Sequence, residues 1–331
     1  MKATAIANSN IALTKYWGKR NSKLMLPQNG SISMNCEGMR TRTTVEFHKK
    51  YGLDEFVLDG KMLSEGAEFE EVTNHLNLIR EIAGIKEKAR AVSENSMPTA
   101  AGLASSASGF AALSVAGAKA AGLNLSGKEL SILARRGSGS AARSIPEGFA
   151  EWYRGEKDDG TDSFAETILK AQEWEEFRMI ATIVSSTEKK VKSRAGMKQS
   201  VDNCPFYSGW LESFEEDNNN VRAGLKKKDF TLVGETAEHN ALKLHSVMMA
   251  TRPSILYWMP ATIEIMHAVT AWREEGIESY FTIDAGPQVK VICLEERVEE
   301  IKKRLQGLRG VQKTIECKPG NGAILVEGHL F

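Results

Sequence analysis

The sequence predicts an α+β protein of two domains, and three observations carry that class. The chain has 331 residues, enough for two cores. Its first half mixes short alternating segments with stretches of helical spacing. Its second half sets long helical patterns at 206–214, 230–247 and 263–274 ahead of strands at 280–283, 289–294, 311–317 and 323–326, with a helix near 298–308. The division is placed at 184/185, giving domains 1–184 and 185–331, just after a buried strand at 179–184.

Within the first half, residues 3–7 read as a strand, and 41–48 alternate as a second. Residues 56–60 form a strand entering a turn. Residues 69–82 carry helical spacing that puts Val72, Leu76, Ile79 and Ile82 on one face. A short strand at 89–94 leads into Pro98-Thr-Ala-Ala-Gly-Leu-Ala-Ser-Ser-Ala-Ser108, a loop that runs into a small-residue helix over 107–121. Ser126-Gly-Lys-Glu129 is a capping box, so a helix follows and stops before Pro146. Residues 148–153 read as a strand, and 157–162 form the most linker-like polar stretch.

Composition excludes several classes. Lys plus Arg and Asp plus Glu are both 43, so the basic excess of a nucleic-acid binder is absent. No apolar run is long enough to span a bilayer, and the first residues do not read as a signal peptide. Cys36, Cys204, Cys293 and Cys317 form no close pair and read as free thiols of a reducing compartment, so the expected location is cytoplasmic. The six histidines show no metal-cage spacing, and His245 reads as helix surface and core. No dedicated protein metal site and no Ser/His/Asp or Cys/His nucleophile set is expected.

Five segments carry candidate chemistry. The loop 98–108 is neither a Walker loop nor a dinucleotide fingerprint, since no lysine follows its glycine. It suits phosphate binding at a helix N-terminus, or it is a small-residue cap. Lys15, Tyr16, Trp17, Lys19 and Arg20 follow a strand and read as an anion site or an amphipathic surface turn. Arg135-Arg-Gly-Ser-Gly-Ser-Ala-Ala-Arg-Ser144 is a second anion candidate, with Arg143 placed to clamp a carboxylate; the other reading is a helix C-cap with solvated arginines. Ser193-Arg-Ala-Gly-Met197 after Lys189-Lys-Val-Lys192 is an anion site or a solvated basic loop. Asp284 ends an apolar strand before Ala-Gly-Pro, and either addresses a hydroxyl in a cleft or caps its own turn.

Taken in order, Asn10-Ile-Ala-Leu-Thr-Lys-Tyr-Trp-Gly-Lys19, the 98–108 loop, Arg136-Gly-Ser-Gly-Ser-Ala-Ala-Arg-Ser144 and Phe281-Thr-Ile-Asp-Ala-Gly-Pro287 resemble the motifs of the diphosphomevalonate decarboxylase family. Gly148-Phe-Ala-Glu-Trp152 and Val191-Lys-Ser-Arg-Ala-Gly-Met197 are similar to it too. The family is a branch of the galactokinase, homoserine kinase, mevalonate kinase and phosphomevalonate kinase (GHMP) superfamily, and the resemblance covers nearly the whole chain. Departures are Leu244-His-Ser-Val247 where the family reads Met-His-Ala-Thr, Arg252-Pro-Ser254 in place of paired prolines, and Pro27-Gln-Asn-Gly30.

The resemblance implies a GHMP-kinase-like fold: a ribosomal-protein-S5-like N-terminal domain, a ferredoxin-like C-terminal sandwich, and a cleft between them. It implies ATP-dependent decarboxylation of mevalonate 5-diphosphate to isopentenyl diphosphate, by C3 phosphorylation and then loss of phosphate and carbon dioxide. Mevalonate 5-phosphate, or a 3,5-bisphosphate without ATP, is the alternative substrate. A non-catalytic phosphate-binding module is the alternative of a different class. The implied catalytic residues are Asp284, Lys15 and Arg143. Tyr16, Lys19, Ser138, Ser140, Ser193, Arg194 and Met197 would hold the substrate with Arg143. Ala101, Gly102, Leu103, Ala104, Ser105, Ser106 and Ser108 would hold ATP, with Mg²⁺ near Ser106. The implied assembly is a homodimer.

Overall fold

The computed structural model describes residues 1–96, 105–187 and 189–331. Strands run over Lys2–Ala12 (β1), Lys19–Asn21 (β2), Leu26–Pro27 (β3), Ser31–Phe47 (β4), Glu55–Leu58 (β5), Lys61–Leu63 (β6), Ala89–Asn95 (β7), Phe149–Trp152 (β8), Ala165–Leu169 (β9), Phe177–Ile183 (β10), Tyr280–Ile283 (β11), Val289–Leu294 (β12), Lys313–Pro319 (β13) and Ile324–Val326 (β14). Helices are Ala67–Ala83 (α1), Ser105–Ala120 (α2), Gly127–Gly137 (α3), Ser193–Asn203 (α4), Tyr207–Glu212 (α5), Phe214–Lys227 (α6), Phe230–Ala250 (α7), Pro260–Glu274 (α8) and Val298–Gln306 (α9). A 3₁₀ segment, Gly139–Ser144, follows α3.

β4 is the hub. Its first residues pair with β8, Cys36 and Glu37 pair with β13, and its last seven pair with β7; β1 runs antiparallel along most of its length. Through β13 the sheet continues as β10, β12 and β11, making twelve strands among the described residues. β10, which the expected division at 184/185 leaves in the first domain, is hydrogen-bonded on both edges to second-half strands, β12 and β13.

Apolar side chains explain the layers. α1, α2 and α3 cover β1, β4 and β7 through Val72, Leu76, Ile79, Phe110, Leu113 and Leu133. The β10–β12 region is covered on both faces, by α6 and α7 through Val221, Leu225 and Val233, and by α8 and α9 through Ile265, Val269 and Ile301. Strands buried on two faces become continuous apolar runs, which is why 280–283 and 289–294 were legible. The capping box at α3 is formed: Ser126 Oγ accepts from Glu129 N at 3.3 Å and Glu129 Oε2 accepts from Ser126 N at 2.8 Å.

Several expectations need correction. The strand read at 41–48 is the end of the 17-residue β4. Ile82 is 48 % exposed rather than on the buried face of α1. Arg80 turns inward instead, because Asp54 meets its guanidinium at 2.7 Å. The helix read at 206–214 is two helices, α5 and α6, meeting at Ser213. Residues 193–197, read as an anion site or a basic loop, are the first turn and more of the helix α4, which runs on to Asn203.

Candidate active site

The segment after β1 is tied to three elements. Leu13 N and Thr14 N both donate to Ile32 O, at 2.8 and 3.1 Å. Thr14 Oγ1 donates to Asn218 Oδ1 of α6 at 2.6 Å, and Lys15 N donates to Asn240 Oδ1 of α7 at 2.8 Å. Asn29 Nδ2 donates to Lys15 O at 2.8 Å. With its backbone so held, the buried Lys15 ammonium donates to Ala12 O and to Asp284 Oδ1, each at 2.8 Å.

Asp284 follows β11, and its other oxygen, Oδ2, accepts from Lys290 Nζ of β12 at 2.9 Å. Both lysine side chains are 2 % exposed, while Asp284 is 30 % exposed and open to a ligand. Desolvation would raise the Asp284 carboxyl, but Lys15 and Lys290 outweigh it and hold the group well below the usual carboxylate range. Burial pulls the Lys15 ammonium down to about 8, with Asp284 opposing and Lys290 adding to the fall. The Asp284 carbonyl accepts from Gly286 N at 2.7 Å and faces His245 Nε2 at 3.2 Å. Burial and the nearby Lys15 push His245 down to about 3, so the ring is neutral and Nε2–H is the donor.

Arg143 lies in the 3₁₀ segment and is 3 % exposed. Its Nε donates to Ser33 Oγ at 2.9 Å and Asn10 Oδ1 at 3.2 Å, and its Nη1 donates to Ser31 Oγ. β4 supplies these partners by simple alternation: Ser31 and Ser33 face Arg143, while Ile32, Met34 and Cys36 enter the core. Among the described residues no carboxylate forms an ion pair with Arg143 within 4.0 Å. Burial lowers it to about 10, with Asp284 and Tyr16 opposing.

The remaining expected binding residues collect nearby. The Tyr16 ring stacks edge-on against Trp152 at 4.7 Å, and its hydroxyl is buried with no partner among the described residues. Burial raises the Tyr16 hydroxyl, against the opposing charges of Arg143 and Arg194. Burial and then Arg194 lower Lys19 to about 8, so these groups share one field. Ser138 and Ser140 bracket Gly139, where an added Cβ would stand 3.1 Å from Tyr16 Oη. Ser193 and Arg194 open α4; Ser193 Oγ accepts from Lys189 Nζ at 2.7 Å. Arg194 pairs with Glu71 of α1 at 2.5 Å and donates to Gly137 O at 2.9 Å. Met197 is buried in an apolar cluster with Trp17, Tyr207 and Trp210.

Gly18 shapes this loop, with φ at +107° and an added Cβ only 1.9 Å from Tyr207 Oη. That hydroxyl donates to Trp17 O at 2.6 Å. Gly18→Ala is expected to cost about 2–4 kcal/mol through overpacking and strain, measured by urea unfolding. An unchanged midpoint would show that the loop relaxes.

Of the expected ATP residues, Ala101, Gly102, Leu103 and Ala104 lie outside the described residues, as does the Ser105 side chain. Ser106 is exposed at the start of α2 and borders a pocket of about 110 Å³ with Phe56, Leu58, Val72 and Phe110. Ser108 is buried, with its hydroxyl 3.0 Å from Ser9 Oγ and 2.7 Å from Thr41 Oγ1. Among the described residues no three His, Cys, Asp or Glu side chains group as metal ligands, and no helix is long and apolar enough to cross a membrane.

Comparison with known proteins decides what this cleft belongs to. A family model for the diphosphomevalonate decarboxylase-like N-terminal domain matches residues 7–165, and one for the mevalonate 5-diphosphate decarboxylase C-terminal domain matches 179–322. The chain belongs to the diphosphomevalonate decarboxylase family. A solved mevalonate diphosphate decarboxylase from Enterococcus faecalis is 42% identical, with 99% of each chain covered and a TM-score of 0.92. A structure in complex with MVAPP, AMPPCP and magnesium is likewise 42% identical, with 99% of each chain covered and a TM-score of 0.92. A phosphomevalonate decarboxylase from Haloferax volcanii is 35% identical over 328 residues, covering 99% of this chain and 98% of the relative. The fold is the two-domain α+β fold of this GHMP-type family.

Within this decarboxylase fold, sequence reasoning gave no role to Lys290, Ser31 or Ser33, took Lys189 only as part of a basic run, and read His245 as helix surface and core. Lys290 had a signal. It sits across a Gly-Pro turn from Asp284, in register with Thr282, so the two side chains share a face. The Ser-Ile-Ser-Met alternation at 31–34 was a second readable signal. For His245 the one signal was the histidine it shares with the family's Met-His-Ala-Thr stretch; the packing of α7 is what brings it to Asp284.

Proposed function

We propose how this enzyme divides its chemistry among these residues. The reaction converts mevalonate 5-diphosphate and ATP to isopentenyl diphosphate, carbon dioxide, phosphate and ADP. The observation that carries the assignment is the meeting of Lys15 and Lys290 on Asp284, at 2.8 and 2.9 Å, with Arg143 buried in the same field.

Asp284 accepts a hydrogen bond from the C3 hydroxyl and aims its oxygen at the γ-phosphorus of ATP. Held ionised by two ammonium groups, Asp284 is a weak base, so it contributes mainly orientation. As the bond from the C3 oxygen to the γ-phosphorus forms, the bond from that phosphorus to its bridging oxygen breaks, ADP leaves with the electron pair, and the hydroxyl proton passes by way of Asp284 to solvent. The C3–oxygen bond then breaks with its electron pair leaving on phosphate. The carboxyl-bearing C–C bond supplies the electrons of the new double bond, and carbon dioxide departs. Arg143 clamps the carboxylate until that step, because a buried guanidinium bonded only to neutral oxygens has its charge still to match.

The 5-diphosphate lies against Tyr16, Lys19, Ser138, Ser140, Ser193, Arg194 and the α4 N-terminus that leads to Met197. Arg194 and Glu71 are 43 % and 38 % exposed, so exchanging that pair for a diphosphate costs little. The nucleotide base lies in the pocket of Phe56, Leu58, Val72 and Phe110, with its phosphates at the start of α2 near Ser105, Ser106 and Ser108. These residues fit a Mg-nucleotide: the α2 N-terminus offers N–H groups, and the exposed Ser106 hydroxyl offers an oxygen. Magnesium bound there would neutralise charge on the transferring phosphoryl group. A homodimer is supported by the family resemblance, and a cytoplasmic location by four unpaired cysteines.

Lys15, Lys19 and Lys189 are each lowered to about 8, mainly by burial. All three are cations below that value and neutral above it. The kcat/KM profile is therefore expected to fall through about pH 8 more steeply than one group allows. A flat profile to about pH 10 would contradict this. Substrate choice is tested by a panel of mevalonate 5-phosphate, 5-diphosphate and 3,5-bisphosphate with and without ATP. Preference for the 5-diphosphate with ATP is expected; preference for the monophosphate would align the chain with its Haloferax volcanii relative.

A further inference from the structure

We infer that Lys290 is a positioning residue for the phosphoryl acceptor: with Lys15 on one Asp284 oxygen and Lys290 on the other, the carboxylate is fixed in a single plane before substrate arrives. This rests on the decarboxylase assignment above.

The fold makes Lys290 a rigid support. It lies on β12, in register with Thr282 of β11 and Ala181 of β10, so its backbone is held from both sides. Its neighbours Val289 and Val291 are fully buried. An ammonium on such a strand carries a desolvation cost that a partner must offset. Among the described residues, Asp284 is the only ion-pair partner that Lys290 has.

The charge count shows that Lys290 does more than neutralise Asp284. Lys15 alone would balance that carboxylate. An Asp side chain turns easily about its terminal torsion. One ammonium leaves its second oxygen free to rotate, whereas two ammonium groups lock both. The surplus positive charge also suits an acceptor site that must receive an anionic phosphoryl group.

The charged and titratable groups that act on Asp284 come from six elements. They are Lys15 after β1, Arg143 in the 3₁₀ segment, Lys189 before α4, Lys290 on β12, the neutral His245 of α7, and Cys36 of β4. The buried Cys36 thiol is pushed up by its burial and, in part, by Asp284, and so stays neutral. Removing Lys290 therefore acts in two directions. Asp284 loses a cation and takes up a proton more readily. Lys15 loses a repelling neighbour and keeps its proton to higher pH.

The test compares wild type with Lys290→Met and Lys290→Arg, and with Lys290→Gln if the methionine variant is not recovered folded. Lys290→Met is expected to lower kcat at least ~10-fold with little change in KM for ATP. Its ratio to wild-type kcat should fall further on acidification, and its alkaline limb should move upward. Lys290→Arg, which keeps the cation, should restore both limbs. The carboxyl ¹³C signal assigned by its loss in Asp284→Asn reads the same shift without substrate, and should titrate at higher pH in Lys290→Met. A rate loss that is equal at every pH, an unmoved carboxyl titration, or wild-type kcat throughout would overturn the proposal. Absence of wild-type turnover would count against the decarboxylase assignment alone, and the carboxyl titration would still decide the role of Lys290.

Discussion

Asp284→Asn is expected to lower turnover roughly 10³-fold while nucleotide binding persists, since it removes the acceptor that aims the C3 hydroxyl. The substitution is nearly isosteric, so lost charge rather than lost volume accounts for the effect. It leaves two buried ammonium groups, Lys15 and Lys290, facing an amide. Breaking a buried pair in this way costs about 3–5 kcal/mol at neutral pH. Lys15 is already lowered to about 8 by burial, and without Asp284 it falls further. Its folded value then lies well below its unfolded one, so the unfolded state binds the extra proton and stability recovers as pH rises. The variant should thus be impaired at every pH but least destabilised under alkaline conditions. Steady-state turnover, nucleotide titration and melting at pH 7 and pH 9 check these points together. Undiminished turnover would remove Asp284 from the chemistry.

Arg143→Gln is expected to lower kcat/KM for mevalonate 5-diphosphate about 10²-fold, the cost of truncating a buried, charge-assisted clamp. The loss should fall more on KM than on kcat. A carboxylate about to leave as carbon dioxide cannot be held more tightly in the transition state than in the ground state. Stability should move the other way from that of Asp284→Asn. Arg143 is buried on Ser31, Ser33 and Asn10 without a carboxylate partner among the described residues, so its removal relieves a desolvated charge. Kinetics and melting measured on the same preparation separate the roles. A lowered melting temperature with normal kinetics would make Arg143 structural.

How much of this was legible in the sequence depends on how local each feature is. The strands at 280–283 and 289–294 were read at their observed bounds, because apolar runs flanked an Asp-Ala-Gly-Pro turn. The α3 capping box was read because all its atoms lie within four residues. The long β4 was cut short because the Glu37-Gly38 pair hid its continuity, and its partners β1, β8 and β13 lie far along the chain. α4 escaped because Ser193-Arg-Ala-Gly shows no apolar period; its packing on Trp17 and Tyr257 makes it a helix. The site divides the same way. Lys15, Arg143 and Asp284 were named from motifs, and the structure brings them into one field. Lys290 reads locally as one polar residue in an apolar strand; its tie to Asp284 was open to reading only through the β11–β12 hairpin register, and β10 on the other edge shows how firmly it is held.

The most direct measurement is product stoichiometry from carboxyl-labelled mevalonate 5-diphosphate and Mg-ATP in a single reaction. Carbon dioxide, ADP, phosphate and isopentenyl diphosphate are expected in equal amounts, all formed roughly 10³-fold more slowly by Asp284→Asn. ADP without labelled carbon dioxide, or labelled carbon dioxide without ATP, would contradict the account.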